Sequence, residues 1–305
     1  MTGPVMGKTN HKSLTLFLMT EKGYEFLRDT INDYCELFAL VVIGNDKSLQ
    51  KDYEFELIDF CQKNNIPFVK RSDFIKLETE YVLAISWRWL IDHPQDKLIV
   101  FHDSPLPKYR GFAPLVNALI NGEAQVGVSA IFGASDFDTG AIITQSISSI
   151  RYPIKIAEAI DCINRNYLEC ANYVLSTLLE GLPLVATPQD ESKASYSVWR
   201  DEEDYKIDWT KSASEIRRMI DAVGYPYLGA FTMLDGKKIR VFAGEETADI
   251  KIENRHCGKA LFIDAGKPIV ICGQGMLKIT EAHIEHDGKT EPFFPLTRYR
   301  LRFTN

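Results

Sequence analysis

The sequence predicts an α/β fold: a doubly wound, mostly parallel sheet followed by a smaller β-rich domain. Short apolar runs alternate with segments of helical period through the first half. Those runs are continuously apolar instead of alternating with polar residues, as strands buried on both faces are. From about residue 201 the pattern changes to short β-rich pieces divided by Gly and Asp turns, the pattern of a small barrel or sandwich. These observations divide the chain into residues 1–200 and 201–305.

Each element has its own signal. Residues 13–19 (SLTLFLM) read as the first strand, with Thr20 placed to cap the helix that follows. Residues 37–43 (LFALVVI) form a second strand, and in 52–64 the apolar Phe55, Leu57, Ile58 and Cys61 fall near helical spacing. Further strands are expected at 66–69, 81–87 (YVLAISW) and 97–101 (KLIVF). Residues 115–121 read as a helix stopped by Asn121-Gly122, and 126–132 (VGVSAIF) as a strand. The tight loop GASDFDTG and a strand AIITQ follow. The clearest helix sets Ile156, Ile160, Ile163, Tyr167, Ala171, Val174 and Leu178 three and four apart, with Gly181 at the C-cap. Beyond the charged RDEEDYKID, residues 213–223 read as a short helix. The pieces GAFTML, KIRVFAG, DIKI, KALFID, PIVICG and MLKITEA read as strands.

Composition removes several function classes. Lys and Arg number 35 against 42 Asp and Glu, a formal net charge of -7, which argues against a nucleic-acid partner. Cys35, Cys61, Cys162, Cys170, Cys257 and Cys272 form no CxxC pair and sit mostly in apolar stretches, as reduced cysteines do. No apolar run spans a membrane, and MTGPVMGKTNHK lacks the apolar core of a signal peptide. The expectation is a soluble, cytoplasmic protein with no membrane partner. The turn after the first strand, MTEKGYEF, has no GxGxxG, so a nicotinamide enzyme is disfavoured.

Open α/β sheets bind ligands beyond the C-terminal ends of their strands, and His102 lies just past such an end. A lone histidine there is as often a satisfied core residue. This one leads into Ser104, the stiffening Pro105 and Pro107, and the corner Tyr109-Arg110-Gly111, which favours a site. The loop SDFDTG offers Asp136 and Asp138, either of which could orient an imidazole, although Asp-Thr-Gly is also an ordinary turn. Ser104 has no Gly-x-Ser-x-Gly elbow around it. His283 and His286 form an HxxH with no further ligands at metal spacing, so no metal is expected. Trp87-Arg88-Trp89 would ordinarily be core or rim, but at a strand end they could wall a flat ring.

At these residues the chain resembles the formyltetrahydrofolate-dependent formyltransferases. The family's HxSLLPxYRG element is similar to His102, Ser104, Leu106, Pro107, Tyr109, Arg110 and Gly111, and its DTG loop to Asp138, Thr139 and Gly140. The similarity continues through YSVWRDEEDYKIDW and ASEIRRMIDAVGYPYLGAF, and so covers most of the chain. The resemblance implies a Rossmann-like catalytic domain, an OB-like C-terminal domain, and N10-formyltetrahydrofolate as co-substrate. It implies His102 as general base assisted by Asp138, with Ser104 beside them. It implies a folate site at Trp87, Arg88, Trp89, Leu90, Leu106, Pro107 and Asp136. Tyr109, Arg110, Gly111, Tyr196 and Arg200 would meet the acceptor, although Arg200 could equally pair with the acidic run after it. The family's third catalytic residue is an asparagine, two positions before the histidine, that donates to the formyl oxygen. Here it is Val100. Protonated His102, Ser104 or a backbone N–H would have to replace it, or the protein does not catalyse.

The transfer-RNA branch carries a basic insertion after the second strand, whereas GNDKSLQKDYEFE is short and not basic. The resemblance therefore points to a sugar-nucleotide N-formyltransferase. A methionyl-tRNA formyltransferase is the alternative, followed by a non-catalytic folate- or nucleotide-binding relative and a formyl-folate hydrolase. The sugar, the nucleotide and the oligomeric state, a homodimer included, stay open.

Overall fold

The apolar runs of the first half form β1 (Leu14–Leu18), β2 (Phe38–Ile43), β3 (Phe68–Lys70), β4 (Tyr81–Ile85) and β5 (Leu98–His102). Helices α1 (Thr20–Tyr34) and α2 (Glu54–Lys63) join the first three. The short β6 (Arg110–Gly111) leads to α3 (Pro114–Asn121), β7 (Gln125–Phe132), β8 (Ile142–Ser149), α4 (Ile156–Leu179) and β9 (Tyr196–Ser197). This is a computed structural model, and it describes residues 13–46, 49, 51–74, 76–286 and 289–304.

The first sheet runs β3-β2-β1-β4-β5-β7-β8. Strands β1 to β5 are parallel, and β7 and β8 are antiparallel. Helices α1 and α4 pack on one face, over Leu16, Leu18, Leu83, Ile85, Ile99 and Phe101, with α2 against α1. The opposite face carries Phe17, Val42, Val82 and Ala84, and the side chains packed on it include Phe74, Leu77, Trp87 and Ile91 from irregular segments. The stretch SWRWLIDHPQDK has no helical period and contains His93-Pro94, so it lies over the sheet as a loop. That leaves the face beside β4 and β5 open enough to hold a cleft.

Three local expectations change. Met19 occupies the N-cap position of α1, while Thr20 is its first residue, at φ 63, and no side chain caps the helix. Residues 249–252 (DIKI) form no strand. His102 is the last residue of β5, not the first beyond it. The segment MTGPVMGKTNHK, read above for a leader, lies outside the described residues.

The later part holds α5 (Ala213–Ala222), β10 (Ala230–Leu234), β11 (Lys237–Thr247), β12 (Ala260–Asp264), β13 (Lys267–Ile271), β14 (Met276–His286), β15 (Lys289–Pro292) and β16 (Phe303–Thr304). These strands make an antiparallel sheet in the order β12-β13-β14-β11-β10-β16, with β15 on the edge of β14. Ser212 caps α5 in a reciprocal box with Glu215. The helix packs against β11 and also against α3 of the first part. No helix among the described residues is long and apolar enough to cross a membrane.

Candidate active site

A cleft of about 340 Å³ opens at the C-terminal ends of β4 and β5. Ala84, Val100 and Ile131 stand side by side across β4, β5 and β7 and help line it. Trp87, Arg88, Trp89 and Leu90 form one wall; Asp136, Phe137 and Asp138 form another. Side chains alternate along a strand, so His102 shares the face of Val100.

The His102 ring is held in one orientation. Its Nε2 lies 2.7 Å from the Tyr109 carbonyl oxygen, which can only accept, so Nε2 carries the hydrogen. Nδ1 is left as the basic nitrogen, 3.5 Å from Asp138 Oδ1. Asp138 is fixed in turn: the Gly111 N–H donates to its Oδ2 at 2.8 Å, and Gln189 Nε2 donates to its backbone carbonyl at 2.7 Å. Two glycines permit this packing. A Cβ on Gly111 would lie 2.6 Å from the Ser197 carbonyl, and one on Gly140 would lie 1.7 Å from the Phe132 carbonyl.

His102, Asp138, Trp87, Arg88, Trp89, Leu90, Gly111 and Asp136 thus meet in one cleft. Other expected residues have different work. Ser104 is buried, and its hydroxyl donates to the Lys108 carbonyl at 2.7 Å, bracing the loop instead of facing the cleft. Leu106 is tied by its backbone to Ser129 and Gln145, Pro107 accepts from the Ser195 N–H, and neither lines the cleft. The Tyr109 hydroxyl is turned to Glu123 and Asn121, so this residue serves His102 through its carbonyl. Arg110 is fully buried and its guanidinium bonds Gln189, Glu191 and the Tyr196 hydroxyl. Arg200 donates to Asn117 Oδ1 at 3.0 and 2.8 Å and lines neither this cleft nor the next. In this structure it ties its segment to α3 instead of pairing with the acidic run that follows it.

A second cleft, of about 660 Å³, shares Gly111, Phe112, Asp136 and Phe137 with the first. Tyr196 and Trp199, 66% and 62% exposed, line it. Gln189 and Glu191 escaped the sequence reading because PQDESK carries only the signal of a loop. A buried group also escaped it. Asp103 accepts from Lys22 and from the Tyr167 hydroxyl. Burial opposes its charge, but Lys22 and the Tyr167 bond hold the carboxyl below its usual range. Burial and Asp103 push the Tyr167 hydroxyl well above its own. His283 and His286, three apart on β14, face opposite sides of the sheet, and His283 packs edge-on against Phe242.

Two family models match the chain: Formyl transferase over residues 72–174, and Formyl transferase, C-terminal domain, over 200–292. A methionyl-tRNA formyltransferase of Syntrophomonas wolfei is 27% identical over 263 residues, 85% of this chain and 81% of that protein. Among solved structures, WlaRD, a sugar 3N-formyl transferase determined with dTDP and 5-N-formyl-THF, superposes with a TM-score of 0.68 at 18% identity. It covers 88% of this chain and 97% of its own. The N-formyltransferase of Helicobacter canadensis, in complex with folinic acid and dTDP-3-aminofucose, gives 0.69 at 16% identity, over 88% and 99%. These likenesses show the fold, a mixed α/β sheet with a C-terminal antiparallel β domain.

Proposed function

The chain belongs to the formyl transferase family, and from that premise we propose that it moves a formyl group from N10-formyltetrahydrofolate to the amine of a nucleotide-linked amino sugar. The observation that carries this reading is the His102 Nδ1 lone pair, fixed beside Asp138 in a cleft that shares Gly111, Phe112, Asp136 and Phe137 with a second one. The first cleft fits a flat bicyclic ring: it has an apolar floor of Ala84, Val100 and Ile131 and an indole wall. The second gives the acceptor a separate approach, with the exposed rings of Tyr196 and Trp199 available to stack on a base.

Bound N10-formyltetrahydrofolate supplies the activated formyl group. The protein's part is proton handling and orientation. An attacking amine must shed a proton, and His102 Nδ1 receives it. The Asp138 carboxylate then faces the new imidazolium, while the Tyr109 carbonyl keeps Nε2–H in place and the ring from turning. The same Nδ1–H is placed to return the proton to the departing N10. Asp103 cannot serve as an oxyanion donor, because its ionised carboxylate only accepts.

The net charge of -7 and the lack of a basic insertion between β2 and α2 favour a small acceptor. The relatedness to methionyl-tRNA formyltransferases favours the alternative acceptor. The two readings separate on one assay. Nucleotide-linked amino sugars with N10-formyltetrahydrofolate should yield a product heavier by one formyl group, at a rate insensitive to moderate salt. Formylation of methionyl-tRNA with a steep salt dependence would overturn the sugar reading. Turnover on no amine, with retained folate binding, would support the non-catalytic reading motivated by Val100.

A further inference from the structure

We propose that Ser86 is a catalytic residue that supplies the hydrogen bond to the formyl oxygen which Val100 cannot make. The inference rests on the formyl-transfer reading above. Three observations carry it.

The first is position. Strands β4 and β5 pair in register up to Ile85 beside Phe101, which sets Ser86 beside His102 at the strand ends. Neighbouring parallel strands lie about 4.8 Å apart, so Ser86, directly after β4, stands about one strand spacing from the end of β5 that carries Val100 and His102. Ser86, Val100, His102 and Asp138 all line the same cleft. The second is backbone conformation. Ser86 has φ 55, a left-handed conformation that few non-glycine residues adopt. It turns the chain out of the strand at the rim of the cleft, where a plain continuation of β4 would not need it.

The third is the support behind the hydroxyl. Ser86 and Tyr167 both line the cleft, Tyr167 donates to Asp103, and Lys22 donates to the other carboxylate oxygen. With its own proton committed to Asp103, the Tyr167 oxygen can serve the cleft only as an acceptor. A hydroxyl rotates about its C–O bond, so the Ser86 proton can turn toward an acceptor that enters the cleft. When negative charge develops on a formyl oxygen, the Ser86 proton swings to it, because a charge-assisted bond is the stronger one. Such a donor acts as the oxyanion forms, so it contributes to the transition state more than to binding. Of the other side-chain donors lining the cleft, Arg88 is paired with Asp46, and the Trp87 indole, its Nε1 without a hydrogen-bond partner, packs edge-on against Phe17 of β1.

The test uses the full chain and [13C]formyl-labelled N10-formyltetrahydrofolate without an acceptor. Isotope-edited infrared spectra should show the bound formyl C=O stretch displaced to lower frequency in the parent. In Ser86→Ala the stretch should return toward its free value, with the donor still bound and the melting temperature close to that of the parent. In the complete reaction Ser86→Ala should lower kcat by about 10²-fold with little change in KM for the donor. The double variant Ser86→Ala/Val100→Asn should recover much of both the kcat and the frequency shift, which a lost structural contact would not allow. An unchanged C=O stretch in Ser86→Ala, or no rescue in a folded double variant, overturns the assignment. A parent that binds no N10-formyltetrahydrofolate overturns the formyl-transfer reading, and the assignment with it.

Discussion

A histidine at a strand end can present either ring nitrogen, and only one choice is useful here. The Tyr109 carbonyl takes Nε2–H, and Asp138 stands at Nδ1, so base and orienting carboxylate lie on the same side of the ring. His102→Ala removes the proton acceptor without enlarging the indole-lined end of the cleft. It should reduce kcat by roughly 10²- to 10⁴-fold, while affinity for 5-formyltetrahydrofolate, read by titration calorimetry, stays near that of the parent. Near-normal turnover in this variant would place the base elsewhere. Asp138→Asn keeps the size but removes the carboxylate charge that faces His102 Nδ1, so it should lower kcat and leave donor binding intact. The loop motif exposed His102, Gly111 and Asp138 in the sequence because each is tied to a short, recognisable spacing. Ser104 and Arg110 share that motif, yet the Ser104 hydroxyl braces its backbone and the Arg110 guanidinium holds the Gln189, Glu191 and Tyr196 side chains. A spacing cannot tell a side chain that faces a ligand from one that faces a carbonyl of its own loop.

The strands were legible because continuous apolar runs have few other uses in a soluble chain, and the long repeat from Ile156 to Leu178 left α4 no alternative. What covers the second face of the sheet was not legible. Trp87 and Ile91 cover it from an irregular segment whose apolar residues have no period, and that departure from helical cover is what opens the cleft. Strand β6 shows how tightly this corner is built. Gly111→Ala would place a Cβ 2.6 Å from the Ser197 carbonyl at φ 95, so the β6–β9 bridge must part or the Asp138 bond must break. The variant should melt several degrees lower and lose most turnover, measured by thermal denaturation and steady-state rates. Helix α5 contains a titrating weak point. Burial pushes the Asp221 carboxyl up to about 6 from 3.8, only partly opposed by Arg217. The folded chain therefore holds this proton more tightly than the unfolded chain. The contribution of Asp221 to stability falls as pH rises from about 4 to about 6 and stays unfavourable above that. Asp221→Asn should match the parent near pH 4 and exceed it at pH 7 by at most about 3 kcal/mol, read from denaturant titrations at both pH values.

The change of pattern near residue 201 marks a change of architecture, but the packing does not stop there. One continuous hydrophobic core includes Leu115 and Leu119 of α3 together with Trp209, Ile216 and Ile220 from the later part. Arg218 Nε donates to the Ile120 carbonyl at 3.0 Å, and Arg200 holds Asn117. Helix α3 begins directly after the loop that carries Tyr109 and Gly111, so the later part buttresses the helix on which that loop ends. If the two parts fold as one unit, backbone circular dichroism and tryptophan fluorescence should report the same denaturant midpoint for the full chain. Trp87 and Trp89 lie in the first part and Trp209 in the second, so the two signals sample both. A fragment ending at residue 200 loses the apolar cover of α3. It should unfold at a clearly lower denaturant concentration, bind a hydrophobic dye, and bind N10-formyltetrahydrofolate more weakly. Equal midpoints for the fragment and for the first part of the full chain would mean that the later part is a separate domain. The catalytic corner would then owe nothing to it.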